Sequence, residues 1–350
     1  EVRQLGININ GELILNYEDR IEHVKSNSEQ EFVNAMQRLL RGNERWLAFI
    51  EGHGERNPNG KANHDLGEWV AQLKYRGFNF RPLNLAESKA IPNNTSVMII
   101  ASPLISFLPG EFSIISDYLN EGGNLLWLID PGEKNDLRPI AELLGITVLP
   151  GVVIDTAAQL LGINDPTITL TTARLYPEHP ITRDFDLTVF FPKATAITAL
   201  ARPGWLTRPV LNSGNHTWLE IGKLEGEVDF DPEKEQKGPL SLGLSLERQL
   251  STYQNDKGSE KQQRVLVIGD GDFLSNTYVG NNGNLELGMR MMNWLSSDDK
   301  LLAIPPETIE DAQLEMSQLL LGMLGLCFLL LFPLGFLGTG FFVWRHRKKL

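Results

Sequence analysis

The sequence predicts an α/β protein: a doubly wound, mostly parallel sheet with a β-rich insertion in its second half and a transmembrane helix near the carboxyl end. Three observations carry this reading. Trp46-Leu-Ala-Phe-Ile50 is an unbroken apolar run, too short for an ordinary helix and without the alternation of a half-wetted strand, so it reads as a strand buried on both faces. Similar runs recur along the chain, separated by helical stretches of roughly ten residues. Finally, about 25 residues from Leu319 to Val343 carry no charge, enough to cross a hydrocarbon core of about 30 Å as a helix.

Taken in order, residues 5–17 alternate around Asn10-Gly11, whose positive φ preference suits a type I′ hairpin. Ser28 and Glu31 form a capping-box pattern, and Phe32, Ala35, Met36, Leu39 and Leu40 share a helical face. After the strand at 46–50, Asp65 and Glu68 fit a helix cap, Leu66, Trp69, Val70 and Leu73 form its apolar stripe, and Gly77 stops it. Phe78 to Leu83 and Val97 to Ala101 read as further strands. A helix from Pro109 turns Phe112, Ile115 and Leu119 inward and ends at Gly122-Gly123. Leu125 to Ile129 is a strand broken by Asp130-Pro131-Gly132, and Leu137 to Leu144 is a short helix ahead of Gly145.

From residue 151 the texture turns to threonines, prolines and short alternating runs such as Leu240, Leu242, Leu244 and Leu246. The polar stretches Glu225 to Lys237 and Ser251 to Gln263 read as exposed loops. Val265 to Ile268 resumes the buried-strand pattern and Asn284 to Leu295 closes the sheet with a helix. The expected division is therefore a hairpin region (1–27), the first α/β part (28–150), a β-rich insertion or subdomain (151–262), the closing strand and helix (263–304), a juxtamembrane stalk (305–318), the membrane helix (319–344) and a basic tail (345–350).

In open α/β sheets ligands gather at the carboxyl ends of the strands. Glu51, His53, Glu55 and Arg56 follow the first core strand, Asp130 follows another, and Asp270 and Asp272 follow the last. In a parallel sheet they share one edge, where acids and a histidine can bind sugar hydroxyls or a partner. The plainer alternative gives Gly52 and Gly54 to the turn and the aspartates to loop amides and helix N-termini. His53-x-Glu55 with His64 lacks metal-ligand spacing, so no metal is expected. Ser102 follows a buried strand, but Pro103 removes the amide that would complete an oxyanion hole. His179 reads as a loop residue and His216 as a strand residue.

Neither a dinucleotide fingerprint nor a Walker motif occurs, so the chain itself is not expected to hydrolyse ATP, and no cofactor is expected. The net charge is −12, and Arg345, Arg347, Lys348 and Lys349 all sit in the tail. Such an acidic remainder argues against nucleic acid as a partner. Cys327 is the sole cysteine, which excludes an intrachain disulfide and a cysteine nucleophile in the soluble part. The basic tail beside the span predicts a cytoplasmic carboxyl terminus with everything before Leu319 outside. In the span, Gly335-x-x-x-Thr339, with Gly322, Gly325 and Gly338, fits small-residue helix packing.

Glu51-Gly-His-Gly-Glu55-Arg56 resembles the "GHGER" signature of the auxiliary, extracytoplasmic component of gliding-motility-type ABC transporters. Gly122-Gly-Asn-Leu-Leu, Asp130-Pro131, His179-Pro180, Gly238-Pro239-Leu240, Gly269-Asp-Gly-Asp-Phe273 and Asn293-Trp294-Leu295 follow in the same order. The resemblance implies a glutamine-amidotransferase-like (flavodoxin-like) sheet reused without catalysis, since the cysteine that chemistry needs is absent. It also implies an anchor upstream of Glu1, making this a processed or truncated product. A non-enzymatic accessory subunit in the bacterial cytoplasmic membrane is thus expected. Its partners would be a permease, a separate ATPase, membrane lipid and an envelope ligand. The alternative is a membrane-tethered hydrolase acting on envelope sugars or peptides.

Overall fold

A computed structural model describes residues 13–17, 20–24, 28–41, 46–132, 137–224, 228–254, 260–297 and 325–348. Residues 1–305 form one compact unit and 306–350 a second.

The first unit is built on a seven-stranded sheet. Its strands are β3 (Trp46–Glu51), β4 (Asn79–Asn84), β5 (Thr95–Ala101), β6 (Leu125–Leu128), β12 (Leu206–Asn212), β15 (Ser241–Gln254) and β16 (Glu260–Ile268), in the order β12-β15-β16-β6-β5-β3-β4. From β16 to β4 neighbours run parallel, while β15 pairs antiparallel with both β16 and β12. The apolar runs of the sequence become its parallel centre because both faces are covered. Leu47 and Phe49 join the core under α2 (Gly67–Tyr75) and α5 (Asn284–Leu295), whereas Ala48 and Ile50 join the core under α3 (Pro109–Asn120) and α4 (Arg138–Leu144).

Smaller strands complete the unit: β1 (Leu13–Tyr17) with β2 (Arg20–Val24), β7 (Ile146–Val148) with β11 (Ile197–Ala199), β9 (Ile168–Thr171) with β10 (Val189–Pro192), and β13 (Thr217–Glu220) between β8 (Val152–Asp155) and β14 (Gln236–Lys237). Two strands from the β-rich stretch, β12 and β15, extend the main sheet itself.

Several local expectations need correction. The turn at Asn10-Gly11 lies outside the described residues; Leu13–Tyr17 pairs with Arg20–Val24. Ser28 Oγ does accept from the Glu31 amide (3.2 Å), opening α1 (Glu29–Arg41). On that helix Ala35 and Leu39 are buried, but Phe32, Met36 and Leu40 face outward, with Asn34 and Gln37 taking the inner positions. Asp65 does not cap α2. It folds the preceding loop by accepting from the Asn57 and Ala62 amides, and the helix N-terminus is served by Asn276 Oδ1, which accepts from Glu68 N at 2.9 Å. Ser251–Gln254 and Glu260–Gln263 are strand, not loop. Gln263 is fully buried because its amide donates to the Leu119 and Gly123 carbonyls at the end of α3. His216 sits in a turn ahead of β13.

In the second unit, Phe328–Arg347 is helical, long and apolar enough to cross a membrane, and entered through a π turn at Cys327–Leu331. The stalk and Gly322 lie outside the described residues. Gly325, Gly335 and Gly338 are exposed, and Thr339 Oγ1 donates back to the Gly335 carbonyl at 2.9 Å.

Candidate functional site

Because β3, β5, β6 and β16 are parallel, the loops after them emerge on one edge, and β3 to β5 is where the chain reverses its direction across the sheet. That crevice is where an open α/β sheet takes a ligand. Here it is filled by the protein itself. Gly52 and Gly54 (φ +117° and +79°) supply the left-handed backbone of the loop after β3. The segment after β5 then crosses it, Leu104 N and Ile105 N donating to the His53 carbonyl at 2.8 and 3.2 Å. Leu104 packs onto Gly54, where a Cβ would come within 3.0 Å of it.

Two polar clusters occupy the edge. In the first, His53 is buried against the Phe107 ring with Nε2 2.9 Å from Glu111 Oε2. Its Nδ1 is 3.3 Å from Glu55 Oε1, close enough for electrostatic contact but outside hydrogen-bond geometry. Glu55 Oε2 accepts from the His53 amide at 2.7 Å. Burial raises the Glu55 pKa against the lowering effect of that bond. Glu111 also accepts from Leu108 N at 2.7 Å, as the third residue of α3. Glu111 was not expected from the sequence, although Pro109 at the helix start with Glu111 two residues on is a legible N-terminal signature.

In the second cluster, the buried Arg56 guanidinium holds Asp130 Oδ2 at 2.5 Å, Asp272 Oδ1 at 2.9 Å and the His64 carbonyl at 2.8 Å. Burial alone would lower its pKa, but the charges of Asp130 and Asp272 outweigh this and raise it. Asp130 Oδ1 takes the Gly271 amide at 2.8 Å. Asp270 is fully buried and its Oδ1 accepts from the Asp272 and Phe273 amides at 2.6 and 3.2 Å, capping a single 3₁₀ turn. Burial first, then the Asp130 and Asp272 charges, push the Asp270 carboxyl well above the usual range. Ser102 adjoins this cluster at a left-handed φ of +53°, and its buried Oγ has no hydrogen-bond partner among the described residues. A Cβ on Gly271 would collide with that hydroxyl and with Arg56.

The structure thus brings His53, Glu55, Arg56, Asp130, Asp270 and Asp272 into two clusters at one edge, and leaves Glu51 exposed at that edge outside both. Among the described residues no group of three His, Cys, Asp or Glu side chains is arranged to hold a metal ion. The two aspartates most available for one are bound to Arg56. His179 is buried edge-on to Trp294, and burial, with Arg208 and Arg264, lowers its pKa to about 4, which makes it a neutral packing residue.

Comparison with known proteins agrees with the architecture. The mmIFT52 N-terminal domain is similar at 15% identity and a TM-score of 0.51, covering 72% of this chain and 97% of that one. A ThuA-like protein from Bacteroides uniformis (14%, 0.37, covering 74% and 94%) and a GMP synthase component from Thermoplasma acidophilum (10%, 0.39, covering 74% and 98%) are also similar. No curated protein matches the chain. Residues 44–303 match the family model described as "ABC-type uncharacterized transport system", a span that runs from the strand before the His53 loop to beyond α5 and takes in both clusters. The chain therefore belongs to this family of ABC transport system auxiliary components.

Proposed function

We propose that the chain is a non-catalytic accessory subunit of a bacterial ABC transporter of the gliding-motility type. It is anchored in the cytoplasmic membrane by the C-terminal helix, with residues before Leu319 extracytoplasmic and the basic tail inside. The helix packs beside a permease driven by a separate ATPase, and the α/β unit engages a substrate or an envelope partner. The observation that carries this reading is the engagement of the edge residues with one another. His53 is held between two carboxylates and Arg56 between two more, so the groups a hydrolase would use are committed to the fold. Purification of the full-length protein from its own membranes in mild detergent tests it. A permease and an ATPase at fixed ratio are expected, and their absence would overturn the reading.

One observation favours a membrane-tethered hydrolase: Ser102 combines a strained backbone with an unmet hydroxyl at a strand end. Among the described residues no base is hydrogen-bonded to it, and an activated serine needs one. Turnover of cell-envelope peptides or glycans that disappears in Ser102→Ala would move this reading to the front.

A further inference from the structure

At the edge of the sheet opposite the acid clusters, where α3 and α4 end, an open cavity of about 180 Å³ is lined by two arginines and no acid. Leu119, Leu143, Leu144 and Trp205 supply its apolar lining, and all of its residues are among those described. Arg202 comes from the loop before β12. Its stem lies against Gly145, where a Cβ would come within 3.2 Å of it, and its Nη1 donates to the Glu142 carbonyl at 2.8 Å and to the Leu143 carbonyl. Arg248 stands on β15 with its guanidinium 4.6 Å from the centre of the Trp205 ring. Its Nε donates to Gln263 Oε1 and its Nη2 to the Leu119 carbonyl at 2.8 Å.

Both arginines therefore close helix ends, which is the plainer account of them. Closing the helices leaves part of each fork free. Arg202 Nε and Nη2 and Arg248 Nη1 make no hydrogen bond among the described residues, and neither side chain has an ion pair there. A helix end carries at most about half a negative charge, so two guanidiniums are not neutralised by the carbonyls they cap. Burial and the nearby Arg202 charge lower the Arg248 pKa, and no carboxylate offsets them. The free N–H groups face a space floored by leucines, where a charge-assisted bond is stronger than in open water. A carboxylate has two oxygens in one plane, enough for one guanidinium fork. A terminal phosphate has three, enough to be shared between two. The volume is below the roughly 300–1,000 Å³ of sites for whole small molecules, so it suits a headgroup. We propose that this cavity binds a terminal phosphate group, free or at the head of a phosphomonoester lipid, between Arg202 and Arg248.

The test uses full-length protein with ¹⁵N-labelled indoles in dodecyl maltoside free of phosphate. Inorganic phosphate is titrated against chloride at matched ionic strength. Of the indole signals from the seven tryptophans, phosphate is expected to shift saturably the one that Trp205→Phe deletes, and chloride is not. Arg202→Gln, at an exposed position, should raise the half-saturating concentration tenfold or more, roughly the worth of one hydrogen bond to a charged group. The remaining indole signals, left in place, show that the variant is folded. Arg174→Gln, an exposed arginine outside the cavity, should change nothing. Glycerol 3-phosphate and micelles doped with phosphatidic acid separate the two sources: equal half-saturation assigns a soluble phosphate, and tighter saturation by phosphatidic acid a lipid headgroup. The proposal is overturned by no saturable shift with any of the three phosphates, by an equal shift with chloride, by unchanged half-saturation in Arg202→Gln, or by tighter saturation with a triglutamate peptide. Because no probe requires a permease, failure here and failure of the transporter reading are separate results.

Discussion

The loop after β3 and the cavity beside β6 lie along the same edge of one sheet, and their chemistry is opposite. The loop carries the charges that draw attention in the sequence, and nearly all of them are paired inside the fold. The cavity is lined by an apolar strand end without motif character, Trp127 and Ile129, and by Leu137, Ala141, Ile146 and Val148. The difference is one of satisfaction. A polar network with its partners in place specifies structure, and an apolar wall beside it contributes packing.

The largest test of that contrast is Arg56→Met. Removing the guanidinium leaves Asp130, Asp270 and Asp272 facing one another without their cation. Breaking a buried pair from one side costs about 3–5 kcal/mol. Denaturant unfolding of the full-length protein in detergent should show a loss of that size, and an unchanged midpoint would mean that the cluster is not structural. Next is His53→Ala, which strips Glu111 and Glu55 of their shared ring and opens the Phe107 contact. It should cost about 2 kcal/mol, within the range for leaving buried polar groups unmatched. A variant that keeps its stability but loses engagement with its partner would move His53 from scaffold to contact.

A smaller effect, of opposite sign, is expected at Asp270. Its folded pKa is raised, so the stability it contributes is fully present below the unfolded carboxylate value, about 4, and is lost as pH rises through the folded value. The isosteric Asp270→Asn keeps the acceptor for the Asp272 and Phe273 amides and cannot ionise. It should therefore be more stable than the parent near pH 8. The gain should vanish toward pH 4. A gain that grows on acidification would show that Asp270 is charged in the fold.

How far the sequence revealed this follows from the kind of signal each element carries. The parallel strands were legible because burial on both faces leaves unbroken apolar runs such as Trp46–Ile50 and Leu125–Ile129. The stops at Gly77 and Gly145 were legible because each needs a left-handed backbone. What escaped depends on residues far away in the chain. Gln263 looks like loop until the end of α3 supplies its acceptors, and the cap of α2 comes from Asn276, more than two hundred residues on. Phe32, Met36 and Leu40 have helical spacing, but spacing alone does not say which side meets the core. The candidate site was legible as a set of loops at one edge, since strand direction places them there. Its pairing was not, because Glu111 reaches His53 from a different helix and Arg56 selects its aspartates from two other strands.

Glu51 is the exception among the seven edge residues. It ends β3, is exposed, and makes no side-chain hydrogen bond or ion pair among the described residues. Beside its loop, Leu104, Ile105 and Leu108 are 63, 56 and 62% exposed, on a segment pinned to the His53 carbonyl. A surface carboxylate without partners changes stability by no more than about 0.5 kcal/mol when replaced. Glu51→Gln should therefore leave the unfolding midpoint where it was, the smallest effect of the series. If the edge meets a protein partner, the same substitution should slow association and flatten its salt dependence, because a rim charge acts mainly on encounter. Association rates of the parent and variant with the co-purified transporter, compared at low and high salt, separate the two cases. A silent result in both assays would confine the edge to holding the fold together and leave recognition to another surface.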